Sequence, residues 1–445
     1  MAEQEPEKLG PFLATVIVAN AMIGSGIYML PAGLGAVGSI SILSWIAAAC
    51  GAMLLGGAMA VLAIISPKTR GLFSYVREAF GPCAGFVSGV LYWITILIAC
   101  VAVATAVTGY SSVFIPAVAR QPASTLCTVA VIWTLIGVNL AGPRFVAAAQ
   151  SPALFVGLAP VLLAAIGGWF FFSNKTFLAS WNVTGGGFFH VVPQATVMVF
   201  WAFLGFEGAI ILSTRVRNPA RDVPIATLGG IAIAAAIYMA ACGALIGMLP
   251  AAALAKSSAP FADGAAAMLG AATAGFIALC AVIKASATLG GNILLAGETG
   301  ECESVLGHMK PHRRDRETQK VALPTLIFTG IVLSAIAILS ASPTLARQFT
   351  IVTNVVVVLA MLDYAAFSAA LFPLSRDLSP ARRFWARVLG AVGVAFCAAI
   401  VAASDPALLV WSVAPVVIAV VAYFLFRMRH GALLAPVQNV ETSGE

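Results

Sequence analysis

Three ionisable residues, Glu207, Lys284 and Asp363, lie in stretches otherwise apolar enough to cross a bilayer. A charge at mid-membrane costs at least ~2.5–3.5 kcal/mol on insertion scales, so each is read first as a group that moves a proton or meets a charged ligand. Two glycine-interrupted stretches are equally out of place. "MIGSGIYMLP" (Met22 to Pro31) sets Gly24-Ser25-Gly26 inside an apolar run, and "WAFLGFEGA" (Trp201 to Ala209) surrounds Glu207 with Gly205 and Gly208. Glycine removes side-chain packing and favours unwinding. Unwound backbone inside a membrane is tolerable only where it lines a cavity and meets a ligand. Half-helix N-termini then offer partial positive charge to a carboxylate, and freed carbonyls accept from an ammonium. An α-amino acid carries both groups, so two facing breaks can grip its head whatever its side chain. The alternative is that glycines only let helices approach closely. That alternative is preferred for Gly56-Gly57, Gly229-Gly230 and Gly167-Gly168, which have no polar companion.

The elements that would position these residues are membrane helices. Of 445 residues, 61% are hydrophobic and 9% charged, and apolar runs recur near the ~20 residues that span a bilayer, which excludes a soluble protein. Hydropathy marks twelve runs, centred roughly on residues 23, 53, 98, 131, 161, 201, 236, 285, 332, 360, 393 and 416. With the N-terminus cytoplasmic, the inner segments hold Lys8, Lys68, Arg70, Arg77, Arg144, Arg215, Arg217, Arg221, Lys310, Arg313, Arg314, Arg316, Lys320, Arg376, Arg382, Arg383, Arg387, Arg427 and Arg429. The outer loops hold only Arg120, Lys175, Lys256 and Arg347. This bias predicts twelve spans with both ends inside. It also assigns the net charge of +7 to topology and anionic lipid rather than to nucleic acid.

The first apolar run is too long and too Gly-interrupted for a cleaved signal peptide, so it is expected to be retained. Cys50, Cys83, Cys100, Cys127, Cys242, Cys280, Cys302 and Cys397 form no CxxC pair and read as buried apolar filler. The longest polar insert, Gly297 to Pro324, contains His308 and His312, but two ligands beside basic neighbours do not make a metal site. No cofactor is expected. No HExxH, GxSxG or P-loop points to an enzyme, and no filter-like loop points to a channel.

Further stretches sharpen the reading: "REAFGP" (Arg77 to Pro82), "NPARDVPIATLGG" (Asn218 to Gly230), "SAPFADG" (Ser258 to Gly264) and "LGGNILLAGET" (Leu289 to Thr299). With the two interrupted runs, they make the chain resemble the bacterial basic amino acid/polyamine antiporters of the amino acid–polyamine–organocation superfamily, nearly end to end. The nearest relatives in this resemblance are arginine/agmatine, putrescine/ornithine and lysine/cadaverine exchangers. It implies an all-α integral membrane protein of twelve transmembrane helices with a leucine-transporter-type 5+5 inverted repeat, helices 1 and 6 broken, and two C-terminal helices. The corresponding division is 1–10 cytoplasmic N-terminus, 11–174 first repeat, 188–373 second repeat, 384–427 extra helices and 428–445 cytoplasmic tail. It also implies the bacterial inner membrane, small amino acid or amine substrates, contact with lipid, and family precedent for a homodimer.

By the same resemblance, Met22, Ser25 and Gly26 hold the substrate head at the first break, with Leu204 and Trp201 at the second. Trp201 also covers the substrate as an aromatic lid. Thr95, Ile96, Cys100 and Val103 occupy pocket positions on the third span. Glu207 matches a glutamate proposed to sense protons; the alternative is a structural acid bonded to backbone freed at the break. Three positions depart from the arginine/agmatine pattern: Asn292 stands for a tryptophan, Cys100 for an asparagine and Val356 for a serine. Arginine specificity is therefore not inherited. Asp363 precedes Tyr364 where the family usually has proline, and Lys284 is likewise unexpected. The two could pair as a structural unit. Alternatively, Asp363 could attract a cationic substrate and Lys284 could supply an internal positive charge where sodium-coupled members bind an ion. Glu207, Lys284 and Asp363 are the proton-coupling candidates. The expected activity is exchange of an amino acid against an amine by alternating access, with a proton-coupled amino acid symporter as the alternative.

Overall fold

The computed structural model of the protein describes residues 10–66, 72–208, 216, 218–302, 321 and 323–430. Lys8, Lys68, Arg70, Arg215, Arg217, His308, Lys310, His312, Arg313, Arg314, Arg316 and Lys320 lie outside these residues.

The regular elements are helices: α1 (Pro11–Met22), α2 (Leu30–Gly35), α3 (Ser41–Ile65), α4 (Leu72–Phe80), α5 (Pro82–Ser111), α6 (Ala123–Leu140), α7 (Pro143–Leu162) and α8 (Asn174–Ala179). They continue as α9 (Phe188–Phe200), α10 (Pro219–Met248), α11 (Pro260–Leu269), α12 (Ala271–Cys302), α13 (Leu323–Leu339), α14 (Leu345–Ala369), α15 (Pro380–Ala403) and α16 (Pro406–His430). A proline opens α1, α5, α7, α10, α11, α15 and α16, where its fixed φ suits the first turn and its missing N–H is not needed. Gly81 and Gly142, both at positive φ, turn the corners into α5 and α7.

Among the described residues, eight helices are long and apolar enough to cross a membrane. One further pair, Pro11–Met22 with Gly26–Gly35, passes together across a 51° bend. Phe155–Phe171, Phe188–Phe203 and Leu323–Leu339 are shorter apolar helical stretches. The twelve runs marked in the sequence fall on these segments, and the centre near residue 23 lies in the bend itself.

α5 runs through the middle, packed against α12 and α14, while α10 crosses α1 and α3, and α12 lies along α7. α15 and α16 pack outside, on α14 and α5 respectively as well as on one another's neighbours. Small residues permit these approaches. A Cβ at Gly230 would lie 2.7 Å from Val18 Cγ1, one at Gly56 2.7 Å from Ile231 Cδ1, and one at Gly168 2.8 Å from Ala244 Cβ, so these glycines are packing residues. Gly57 has open space around it and is not explained that way.

The expectation that the cysteines are buried filler needs correction. Cys100, Cys242, Cys280 and Cys397 are buried, but Cys50 and Cys83 are exposed. Cys50 lies within the long apolar helix α3, where an outward position is as compatible with an apolar side chain as the core, because lipid replaces water.

Candidate functional site

The first break follows from the glycine triplet. α1 ends at Met22, the Gly24 N–H turns back to the Met22 carbonyl at 2.6 Å, and a short 3-10 turn, Ser25–Ile27, leads to α2. The second break begins at Trp201, where α9 tightens into a 3-10 turn through Phe203. Gly205 then adopts φ +110°, a conformation that side chains disfavour. Its far side, 209–215, lies outside the described residues.

The two breaks meet. A Cβ at Gly205 would sit 3.4 Å from the Ala21 carbonyl oxygen, and one at Gly26 would sit 2.9 Å from Trp201 Nε1. Backbone groups freed by unwinding are partly satisfied from behind by buried tyrosines. Tyr110 donates its hydroxyl to the Tyr28 carbonyl at 2.9 Å and accepts from the Phe261 N–H at 3.2 Å. Tyr238 donates to the Ala202 carbonyl at 3.1 Å. Tyr28 in turn donates to the Gly157 carbonyl of α7 at 2.6 Å. Each hydroxyl replaces water that the membrane interior does not supply.

In front of the breaks lies a cavity of about 320 Å³, within the size range of small-molecule sites. Met22, Gly24, Gly26, Trp201, Leu204 and Gly205 bring both breaks to its wall. α5 contributes a helical stripe of Ser88, Tyr92, Thr95, Ile96, Ala99 and Val103, α12 contributes Thr288 and Asn292, and α14 contributes Val356, Asp363 and Tyr364.

Trp201 is buried, its ring 6.2 Å from that of Phe349, and its Nε1 has no hydrogen-bond partner. Its Nε1 is thus an unused donor at the cavity wall. Glu207 is clamped: its Oε2 accepts from the Gly205 N–H at 2.9 Å and from the Tyr364 hydroxyl at 2.9 Å. The carboxylate therefore closes the turn that Gly205 opens.

The residues singled out in the sequence do not all converge. Met22, Gly26, Thr95, Ile96, Val103, Trp201, Leu204, Asn292, Val356, Glu207 and Asp363 line the one cavity. Ser25 belongs to the first break. Cys100 does not line the cavity; it falls off the edge of the α5 stripe and is fully buried, with Ala99 facing the space instead.

Lys284 also lies off the cavity wall, one turn before Thr288, with its stem against α7, where a Cβ added to Gly157 would collide with Lys284 Cγ. Among the described residues no ion pair joins Lys284 to Asp363. Lys284 faces α7, whereas Asp363 sits beside Ser88 of α5, so the two cannot neutralise one another as a structural pair. Sequence reading missed Ser88, Tyr92 and Thr288. The signal was available in the spacing of 88, 92, 95, 96, 99 and 103, which is one face of a helix.

A family model for amino acid permeases matches residues 9–426. The chain belongs to that family. It is 32% identical over 400 residues to the putrescine transporter PotE of Escherichia coli, covering 89% of this chain and 91% of that one. It is 31% identical over 396 residues to the cadaverine/lysine antiporter of the same organism, covering 88% of each. The putrescine transporter PotE of Haemophilus influenzae is 29% identical over 364 residues, covering 82% of this chain and 84% of that one. The region matched by the family model contains both breaks and the cavity.

Proposed function

We propose that the chain is a secondary active transporter that exchanges an amino acid against an amine across the bacterial inner membrane. The observation that carries this reading is that both helix breaks open on one cavity, with the unpaired Trp201 Nε1 over Gly26 on one side and the clamped Glu207 on the other. Backbone at the first break, Met22 with Ser25 and Gly26, holds the substrate head. Trp201 and Leu204 cover it, and Thr95, Ile96, Val103, Asn292 and Val356 form the surrounding wall. The names of the relatives, a putrescine transporter and a cadaverine/lysine antiporter, support amino acids and amines as the substrate class.

The proposed architecture is a first repeat over 11–174, a second over 188–373, two extra helices over 384–427, and cytoplasmic segments at 1–10 and 428–445. The repeats rock around the fixed breaks to give alternating access. Glu207 is the leading proton-coupling group, because its carboxylate accepts from the Gly205 N–H and the Tyr364 hydroxyl together, and taking up a proton would weaken both bonds without removing them. Lys284, its stem packed against α7, is the second. The protein works in contact with lipid and as a homodimer.

Counterflow in reconstituted vesicles tests the reading. Exchange requires substrate on both sides, so labelled lysine or ornithine should enter vesicles loaded with amine or amino acid and should not enter empty ones. Filling of empty vesicles under a pH gradient would replace it with proton-coupled symport.

A further inference from the structure

The cavity is chemically lopsided. Glu207 and Asp363 are carboxylates on its wall, and no Lys or Arg lines it among the described residues. The two acids differ in how they are occupied. Glu207 Oε2 already holds a backbone N–H and a tyrosine hydroxyl. Asp363 Oδ2 is buried and has no hydrogen-bond partner. A buried carboxylate oxygen without a partner is a costly arrangement that a cationic ligand would relieve.

Its position selects the ligand. Asp363 lies seven residues beyond Val356 on α14, about 10 Å by helical rise. On α5, Ser88, which sits beside Asp363, precedes Ile96 by eight residues, about 12 Å. The same cavity wall includes Ile96, Ala99, Leu295 and Ala360, which are apolar. A molecule with one ammonium at the freed carbonyls and a second on Asp363 would lay a methylene chain along this wall. A substrate with a single ammonium leaves Asp363 Oδ2 unpaired.

Resting on the exchange reading above, we propose that Asp363, with the Ser88 hydroxyl beside it, is a second cation anchor that makes the cavity prefer aliphatic diamines to monoamines of the same length. It is a specificity-determining residue for the amine arm of the exchange. Glu207, already bonded within its own break, does not supply this second contact.

The test is competition by 1,4-diaminobutane and by 1-aminobutane against labelled lysine or ornithine counterflow, in vesicles carrying the full chain. In the wild type the diamine should compete at concentrations at least about tenfold lower, the size of one charged hydrogen bond. Asp363→Asn should erase that difference, bringing the ratio of the two half-maximal concentrations to about one, a readout that cancels any loss of affinity for the labelled lysine or ornithine, which carries a second ammonium of its own. Asp363→Glu, which keeps the charge, should retain part of the preference. Equal shifts for both amines in Asp363→Asn would mark a structural role and overturn the proposal. If that variant does not reach the membrane, the wild-type comparison still decides, because equal competition by the two amines overturns the anchor. Counterflow of amino acids without diamine preference removes only this inference, whereas absence of counterflow with every amino acid and amine removes the exchange reading as well.

Discussion

The two breaks solve one physical problem in opposite ways. At the first, residues 23–29 carry no ionisable group except Tyr28, and the repair comes from a distance: Tyr110 reaches the Tyr28 carbonyl from α5. At the second, Tyr238 likewise reaches the Ala202 carbonyl from α10, but a local and charged repair is added, since Glu207 bonds the Gly205 N–H two residues away. The first break is thus held from behind and leaves its front to whatever enters the cavity. The second is held by a group whose charge can change. On the proposed exchange reading, this contrast fits substrate grip at the first break and conformational control at the second.

The largest expected effect concerns the residue that bridges them. Trp201 belongs to the second break but lies over Gly26 of the first. Trp201→Ala should lower exchange at least about tenfold, and Trp201→Phe should fall between, because a phenyl ring keeps a π face for a cation but no N–H. Initial rates of counterflow, normalised to protein in the membrane, would read this. Three equal rates would detach the ring from the site.

Next in size is the control assigned to Glu207. Glu207→Gln keeps a carbonyl oxygen that can accept from Gly205 N–H and Tyr364 hydroxyl, so the turn should persist. What it loses is the proton. Exchange by the wild type measured over about pH 5 to 8 should vary several-fold, and the Gln variant should give a flat profile. Glu207→Asp should respond to pH with a displaced profile, since a shorter side chain meets the same partners less well. A Gln profile that superimposes on the wild type would pass the coupling role to Lys284.

Much of this contrast was legible in the sequence, for identifiable reasons. Glycine beside a charge in an apolar run is a local signal, so both breaks and Glu207 could be read directly. On α5, Thr95, Ile96 and Val103 came with the resemblance that the motifs carry, whereas Ser88 and Tyr92, which helical period could have supplied, were missed. What could not be read was side-chain direction. Cys100 and Ala99 are adjacent and both apolar, and only packing decides that Ala99 meets the cavity. Lys284 and Asp363 each looked like the answer to the other, but they face different helices, α7 and α5. The tyrosine repairs were equally hidden. Tyr110 and Tyr238 are 82 and 36 residues from the carbonyls they satisfy, beyond any local pattern.

A smaller effect separates crowding of the lid from loss of grip at the first break. Gly26→Ala places a methyl about where Trp201 Nε1 approaches, 2.9 Å away, so the ring must shift. Substrate affinity should fall several-fold with membrane expression unchanged. In Trp201→Phe, whose ring lacks that nitrogen, the same Gly26→Ala change should cost less, giving a double-mutant cycle that is not additive. Additive losses would mean that the methyl obstructs the substrate itself rather than the lid.

The smallest expected effect tests whether the breaks are held from behind. Tyr110→Phe removes the donor to Tyr28 and the acceptor for Phe261 N–H, whereas Tyr238→Phe removes only the donor to Ala202. An unsatisfied buried group costs about 1–3 kcal/mol in soluble cores. Inside membranes, hydrogen bonds between helices average nearer ~0.6 kcal/mol, because the freed groups find other partners. The lower figure governs if the cavity lets water reach the freed carbonyl, and the higher one if it does not. Both variants should therefore melt below the wild type in detergent, with Tyr110→Phe the lower of the two because it strands two groups. Saturating substrate should restore Tyr110→Phe more than Tyr238→Phe, since ligand at the first break stiffens the backbone that Tyr110 supports. Equal melting of all three proteins would show that the unwound turns are satisfied without these hydroxyls, and the asymmetry between the breaks would then rest on Glu207 alone.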